Sequence, residues 1–556
     1  MARIRRLLLR AAMGVAAPIV GLGLVSPPLE SQQPGVDVQR YRYELTLPDT
    51  GRHVEVAATI EFARDRAVNE LRLDLLAPMR VTRARRGCGT NPATARFTQD
   101  SQTVSIALAA APSATGLNCV HLEYEGAPTD GLVIGTDSAG RWRAFGDNWP
   151  NRARHWLASN DHPSDKALVE FSVVAPATLR VVANGIQVES DLVDEGASAP
   201  RARTTWKTLF PIPTYLMVIA AAPLERYALG LTACGLGGVE RCVPQQVYTA
   251  PEQARFMPGN FKFADDIVRY FARTVGPFPY AQLAHLQSST RFGGMENAGA
   301  IFYADRLFRQ PNGVSVGLIA HETAHQWFGD AVTEREWAHL WLSEGFATYF
   351  AALYTEYGTG PDAFRAEMAE MRASIIGAAV VVERPVIDTA QTNLMALLNT
   401  NSYQKGGFVL HMLRAEVGDS AFFRGIRSYW STNKHANALT TDLRAAVEQA
   451  AGRELGWFFD QWLTRPGFAE VTTSWTHDPV SGQVTLSVQQ GERFGAYRFA
   501  LRVAVDGADG DTTLVRVEVP AEPSSSVVLP GRWSTAPRAL RLDPYHELLA
   551  SFALTP

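Results

Sequence analysis

The chain carries little charge and almost no excess of either sign. Of its 556 residues 19% are Asp, Glu, Lys or Arg, and 52 basic side chains face 56 acidic ones, a formal net charge of -4. A nucleic-acid binder needs a basic patch or stripe, and this balance argues against one. Cysteine is scarce, at four residues, and the spacing of Cys88, Cys119, Cys234 and Cys242 fits no zinc knuckle, so metal ligation by thiolate is not expected. No apolar run reaches the ~20 residues a membrane span needs. Internal repeats, low-complexity tracts and long linkers are also missing. What remains is a chain with 46% hydrophobic residues, too apolar for extended disorder and too long for one core, so two to four domains are expected.

The N-terminus stands apart. Arg3, Arg5, Arg6 and Arg10 precede an apolar run from Ala11 to Val25, and Ser26 to Pro34 is polar and Pro-rich. A basic start, short apolar run and polar exit read as a secretory signal peptide over residues 1–31, with an uncleaved anchor as the other reading. An exported chain without a stable span after cleavage follows, as a monomer or small homo-oligomer. An even cysteine count in such a chain suggests disulfides. Cys234 and Cys242 flank Gly235-Leu236-Gly237-Gly238 and could close a hairpin, which leaves Cys88 for Cys119; four buried free thiols are the alternative.

From about Val36 to Pro223 the sequence alternates as half-buried strands do, for example Tyr41 to Leu47, Val54 to Phe62 and Val104 to Leu108. From Ala254 to about Leu463 helical periodicity takes over, over Asn260 to Val275, Val316 to Phe328, Leu340 to Tyr357 and Ser402 to Val417. Gly276, Gly329, Gly358 and Gly418 then suit helix C-termini. After Pro466 alternation returns, in Gln483 to Val488 and Ala500 to Val505, over about 90 residues that suit a small β-sandwich.

The chemistry centres on His321-Glu322-Thr323-Ala324-His325. Residues four apart lie on one helix face, so the two imidazoles can hold one metal ion. Glu322 points roughly 100° around the helix. It is placed to reach a water held by that metal, as a general base must be. Zinc suits imidazole and carboxylate ligands and keeps a fourth position open. Glu344, in Trp341-Leu342-Ser343-Glu344-Gly345-Phe346-Ala347, is an acid in a run suited to burial. It needs a partner there, or else faces solvent at a helix start.

These residues resemble a family. His321-Glu322-x-x-His325 followed after eighteen residues by Glu344 is similar to the ligand spacing of the zinc aminopeptidases related to aminopeptidase N and leukotriene hydrolase. Gly293-Gly294-Met295-Glu296-Asn297 resembles their Gly-Ala-Met-Glu-Asn segment, with Gly294 in place of Ala, a difference read as small. Tyr403-Gln404-Lys405-Gly406 resembles their Tyr-x-Lys-Gly segment. Trp149 to Lys166 and Asp460 to Leu463 resemble the ends of the N-terminal and catalytic domains.

The resemblance implies a multidomain α+β fold. An N-terminal β-sandwich or saddle domain is expected over 36–228, a thermolysin-like, mainly helical catalytic domain over 229–465, and a small C-terminal β-sandwich over 466–556. It implies one Zn²⁺ on His321, His325 and Glu344, Glu322 as general base, and Tyr403 as donor to the oxyanion. Glu296 would bind the free α-amino group of a peptide. Gly293 and Gly294 would let the substrate backbone lie close, with Met295 beside them and Asn297 in a structural role. Asp147 matches a position where relatives carry an amine-holding glutamine, though a turn-forming Asp suits it better. No large helical cap is expected after Pro466, so the cleft should be open. The competing readings are a thermolysin-like endopeptidase, which has no need of Glu296, and an inactive peptide-binding protein of the same fold.

Overall fold

The computed structural model describes residues 33–113, 116–193, 199–232, 242–508 and 510–554. The proposed signal peptide and Cys234 lie outside the described residues. So does most of the segment the Cys234–Cys242 pair would close. Cys88 and Cys119 are joined by a disulfide.

Alternation along the first strands becomes one large sheet. Its order is Ile186–Leu192, Arg201–Lys207, Lys166–Pro176, Val36–Thr46, Val54–Arg64, Asn118–Gly126, Arg80–Arg86 and Ala93–Thr94, with Ile212–Pro213 beside Lys166–Pro176. Val36–Thr46 runs parallel to Lys166–Pro176, with Tyr43 opposite Phe171, and antiparallel to Val54–Arg64, with Tyr43 opposite Ala58. Every second residue of Val54–Phe62 is buried, as the two-residue period of a half-buried strand requires. A three-stranded and a four-stranded sheet complete this β-rich part. Its tyrosines are tied inward: the Tyr43 hydroxyl donates to Ala158 O at 2.9 Å, and Tyr41 Oη accepts from Asn160 N at 2.9 Å.

The middle of the chain contains a sheet that helical periodicity hides. Glu225–Thr232, Val243–Thr249, Leu283–Ser288, Ala300–Ala304 and Gly294–Met295 form five strands in that order. The inner three are parallel. Ala300–Ala304 is buried throughout. Ile301 and Tyr303 join the core under the helices, while Ala300 and Phe302 join the core of the N-terminal β part. A strand covered on both faces has no polar alternation, so it reads as an apolar run. The boundary expected at 228/229 falls inside Glu225–Thr232, whose partner is Val243–Thr249.

Helices Ala264–Thr274, Val316–His325, Trp341–Thr359, Pro361–Gly377, Gly406–Val417, Asp419–Asn433, Thr440–Ala451 and Gly456–Leu463 share one core with this sheet. Three expected boundaries shift. The helix expected over Val316 to Phe328 ends at His325, ahead of Gly329. The glutamate-bearing helix runs through Gly358 to Thr359 and stops at Gly360, whose φ of 109° breaks the helix. Asn260 to Val275 is split at Phe261 to Phe263. The C-terminal part is β-rich, with a four-stranded and a three-stranded sheet, and it shares one continuous core with the helices. Among the described residues no helix is long and apolar enough to cross a membrane.

Candidate metal centre

The Ser315 hydroxyl accepts from Leu318 N and starts the helix Val316–His325. One turn apart on it, His321 Nε2 and His325 Nε2 lie 3.1 Å from each other. Glu344 reaches them from Trp341–Thr359, with Oε2 3.3 Å from His321 Nε2 and 3.4 Å from His325 Nε2. Zinc bonds of about 2.0–2.1 Å arranged tetrahedrally span edges of about 3.3–3.4 Å, so this triangle has the size of one face of such a site. Glu344 Oε2 is buried with no hydrogen-bond partner, a stranded acceptor that a cation would satisfy. His325 Nδ1 donates to Phe328 O at 3.2 Å, with Ser343 Oγ 3.1 Å away. That fixes the proton on Nδ1 and leaves Nε2 free to ligate. Burial alone would raise the Glu344 carboxyl, but His325 and His321 beside it hold it down at about 2. The residues present therefore fit a divalent metal.

Glu322 is buried beside this triangle, and a carboxylate oxygen of Glu322, one of Glu296 and a ring nitrogen of His325 all lie within 4.8 Å of one another. Burial pushes the Glu322 carboxyl well up; His325 opposes the shift and Glu296 and Glu344 add to it. A bound cation would oppose it further. Burial also raises Glu296, to about 7, against the pull of His325.

Glu296 follows Gly294–Met295, the edge strand of the five-stranded sheet. An edge strand offers unpaired backbone groups to an extended peptide. A Cβ on Gly294 would lie 2.2 Å from Glu322 Oε1 and 2.7 Å from Glu322 Cγ. In this chain the space that an alanine methyl group would take holds the end of the Glu322 side chain. Met295 lines the cavity. Asn297 is fully buried away from it, with neither side-chain polar atom partnered.

Tyr403 sits in a π-helical turn, Asn401–Lys405, that leads into Gly406–Val417. Such turns recur at functional sites. Asn401 Nδ2 donates to Val380, Arg384 and Pro385 carbonyls, and Ser402 Oγ to Leu397 O, which anchors the turn. A Cβ on Gly345 would come within 2.8 Å of the Gly406 carbonyl carbon; only glycine lets the glutamate helix approach this turn so closely. The Tyr403 ring lies parallel to His321 at 6.0 Å between centroids. Burial, then Glu344 and Glu296, hold its hydroxyl protonated, as a hydrogen-bond donor must be.

A cavity of about 450 Å³ joins these groups, lined by Trp149, Phe292, Gly293, Gly294, Met295, Glu296, Gly317, Leu318, His321, Glu322, His325, Glu344, Leu398 and Tyr403. Asp147 is not among them. Its carboxylate accepts from Arg152 Nη2 at 2.6 Å and from Thr290 Oγ1 at 3.4 Å, so its charge is used by the arginine. Two positioning residues escaped the sequence reading. Gln326 Nε2 donates to Glu296 O at 2.7 Å and to Asp330 Oδ2, while its Oε1 accepts from Gly299 N. It pins the amine-side segment to the histidine helix. Asn184 Nδ2 donates to Ala298 O from the β part.

A histidine pair on one helix, a glutamate from the next, and a buried acid beside them define a metallopeptidase-type site of the glutamate-liganded class. The comparisons agree. The peptidase M1 N-terminal domain matches residues 39–216 and the peptidase family M1 domain matches residues 263–462. The chain belongs to peptidase family M1. It is 27% identical over 374 residues to probable aminopeptidase 2 of Sulfurisphaera tokodaii, covering 64% of this chain and 46% of that one. It is 28% identical over 337 residues to glutamyl aminopeptidase of Bos taurus, covering 58% and 34%. The chain thus spans less than half the length of these two curated relatives. The crystal structure of an M1 zinc metallopeptidase from Deinococcus radiodurans superposes with a TM-score of 0.66 at 27% identity, covering 79% of this chain and 95% of that one. A mutant of it bound to a Tyr-Ser-Ala substrate gives 0.66 at 28%, covering 78% and 95%.

Proposed function

We propose that the protein is an exported zinc aminopeptidase that removes residues one at a time from the free N-terminus of peptides. One observation carries the reading: a buried carboxylate, Glu296, shares a cavity with a metal-sized triangle of His321, His325 and Glu344. An endopeptidase has no use for that carboxylate, and the named relatives are aminopeptidases. The solved relative is a zinc metallopeptidase, and its mutant holds a tripeptide.

Zinc held by the triangle supplies Lewis acidity, polarising a carbonyl oxygen and acidifying water. The remaining work belongs to this chain. Glu296 pairs with the substrate ammonium and so fixes the scissile bond one residue from the N-terminus. The edge Gly294–Met295 aligns the peptide backbone. Glu322 takes a proton from the attacking water and passes it to the leaving amine. Tyr403 donates a hydrogen bond to the oxyanion of the tetrahedral intermediate. Export is supported by the basic, apolar and polar order of the first residues and by the Cys88–Cys119 disulfide.

The Glu322→Gln variant tests the assignment. It should bind one zinc per chain and lose at least about 100-fold in kcat on leucine p-nitroanilide. Unchanged turnover in the metal-loaded variant removes Glu322 as the base.

A further inference from the structure

We propose that the first residue of the substrate carries a large apolar side chain, aromatic or branched aliphatic, and that Trp149, Phe292 and Leu398 select it. The inference rests on the aminopeptidase reading and adds the substrate class to it.

The cavity wall divides cleanly by chemistry. Every polar side chain in it is already engaged, Glu296 with the amine, Glu322 and Tyr403 with the reaction, and His321, His325 and Glu344 with the metal. The rest of the lining is glycine or apolar apart from the indole N–H of Trp149. Among the described residues, no lysine, arginine, asparagine, glutamine, serine or threonine lines it. A pocket recognises a polar group by a polar group, and that one N–H leaves no charged group and no acceptor for a substrate side chain.

An acidic first residue brings a further carboxylate to a cavity that already holds Glu296, Glu322 and Glu344 and that, among the described residues, no lysine or arginine lines. A basic first residue must shed water from its charged head among Trp149, Phe292 and Leu398. An apolar side chain meets neither penalty and gains from leaving water.

The apolar walls come from three distant parts of the chain and are held in place. Trp149 comes from the N-terminal β part. Its ring stands edge-on to Phe292 at 6.2 Å and to Trp337 at 5.6 Å, an arrangement aromatic rings favour. Phe292 directly precedes the Gly293-Gly294 segment. Leu398 lies five residues before Tyr403 and packs on the core of the N-terminal part. A volume of about 450 Å³ takes an aromatic side chain together with its backbone.

The test uses the full, zinc-loaded protein and the p-nitroanilides of Phe, Leu, Ala, Arg and Glu. Phe and Leu should exceed Ala in kcat/KM by at least about 10-fold, since a single methylene in an apolar pocket already gives about 10- to 200-fold. They should exceed Arg and Glu by about 100-fold or more. Equal or better turnover of Arg or Glu overturns the proposal, as does uniform turnover of all five. Phe292→Ala and Leu398→Ala should each narrow the Phe-to-Ala ratio by about 10-fold; a ratio that does not move in either removes these residues as selectors. A binding readout is independent of turnover: in the Glu322→Gln variant, calorimetry should find Phe-Ala-Ala bound at least about 10-fold tighter than Glu-Ala-Ala, and equal affinities contradict the proposal. Hydrolysis of none of the five, with cleavage of acetylated peptides, would instead strike the aminopeptidase reading itself.

Discussion

Gly294→Ala is the smallest change that should disable this site without touching a charged group. A Cβ there would sit 2.2 Å from Glu322 Oε1, 2.3 Å from Cδ and 2.7 Å from Cγ. Ordinary contact begins near 3.4 Å, so each atom is displaced by about 0.7 to 1.2 Å or more. Because Cγ is involved, turning the carboxylate alone gives no relief; the side chain has to leave its position. Misplacing a catalytic group by about 1 Å can cost about 100-fold in rate. The ligand triangle is untouched, so zinc content should stay at one per chain. The assay is kcat and KM on leucine p-nitroanilide beside metal analysis. The expected result is a fall in kcat of about 100-fold with full zinc. A kcat within about twofold of wild type would refute the claim that Gly294 seats the base.

Three further outcomes follow from the same structure. Glu296→Gln keeps the shape but loses the charge, and a hydrogen bond to a charged group contributes about 1.5–3 kcal/mol, so kcat/KM on free-amine substrates should fall about 10- to 100-fold; an unchanged value removes Glu296 as the amine partner. Glu334 is buried with both carboxylate oxygens unpartnered, and burial raises it from 4.5 to about 8. A raised folded pKa stabilises fully below the unfolded value and the contribution is lost as pH climbs through about 8. Glu334→Gln should therefore gain stability relative to wild type between pH 5 and pH 9, on the order of a few kcal/mol, and an equal urea-unfolding gap at both pH values contradicts this. The Cys88–Cys119 bond closes a loop with a sequence separation of 31, for which chain entropy gives about 3–4 kcal/mol; a Cys88→Ser/Cys119→Ser variant should lose that much in denaturant unfolding, and equal midpoints would rule it out.

How much of this was legible in the sequence depends on the distance over which each feature is built. His321 and His325 are one helical turn apart, so periodicity alone brings them together. Glu344 and Tyr403 needed the family resemblance, because their approach depends on the close crossing at Gly345 and Gly406. The parallel strands Val243–Thr249, Leu283–Ser288 and Ala300–Ala304 were hidden, since burial on both faces erases the two-residue alternation. Asp147 could not be separated from a turn residue without its partner Arg152. The helix end at Gly360 rather than Gly358 was a choice between two glycines in the same turn. The selecting wall of Trp149, Phe292 and Leu398 spans 250 residues of chain, and no local pattern announces such a meeting. The role of Gly294 was likewise invisible, because a missing methyl group acquires meaning only when Glu322 is seen to fill its place.

The most direct measurement of the central claim compares one peptide in two forms, with a free and with an acetylated N-terminus, incubated with the zinc-loaded protein and followed by mass spectrometry. If Glu296 and the metal triangle work together as described, the free peptide shortens from its N-terminus one residue at a time and the acetylated form stays whole. Internal cleavage of the acetylated peptide at a comparable rate would contradict the account.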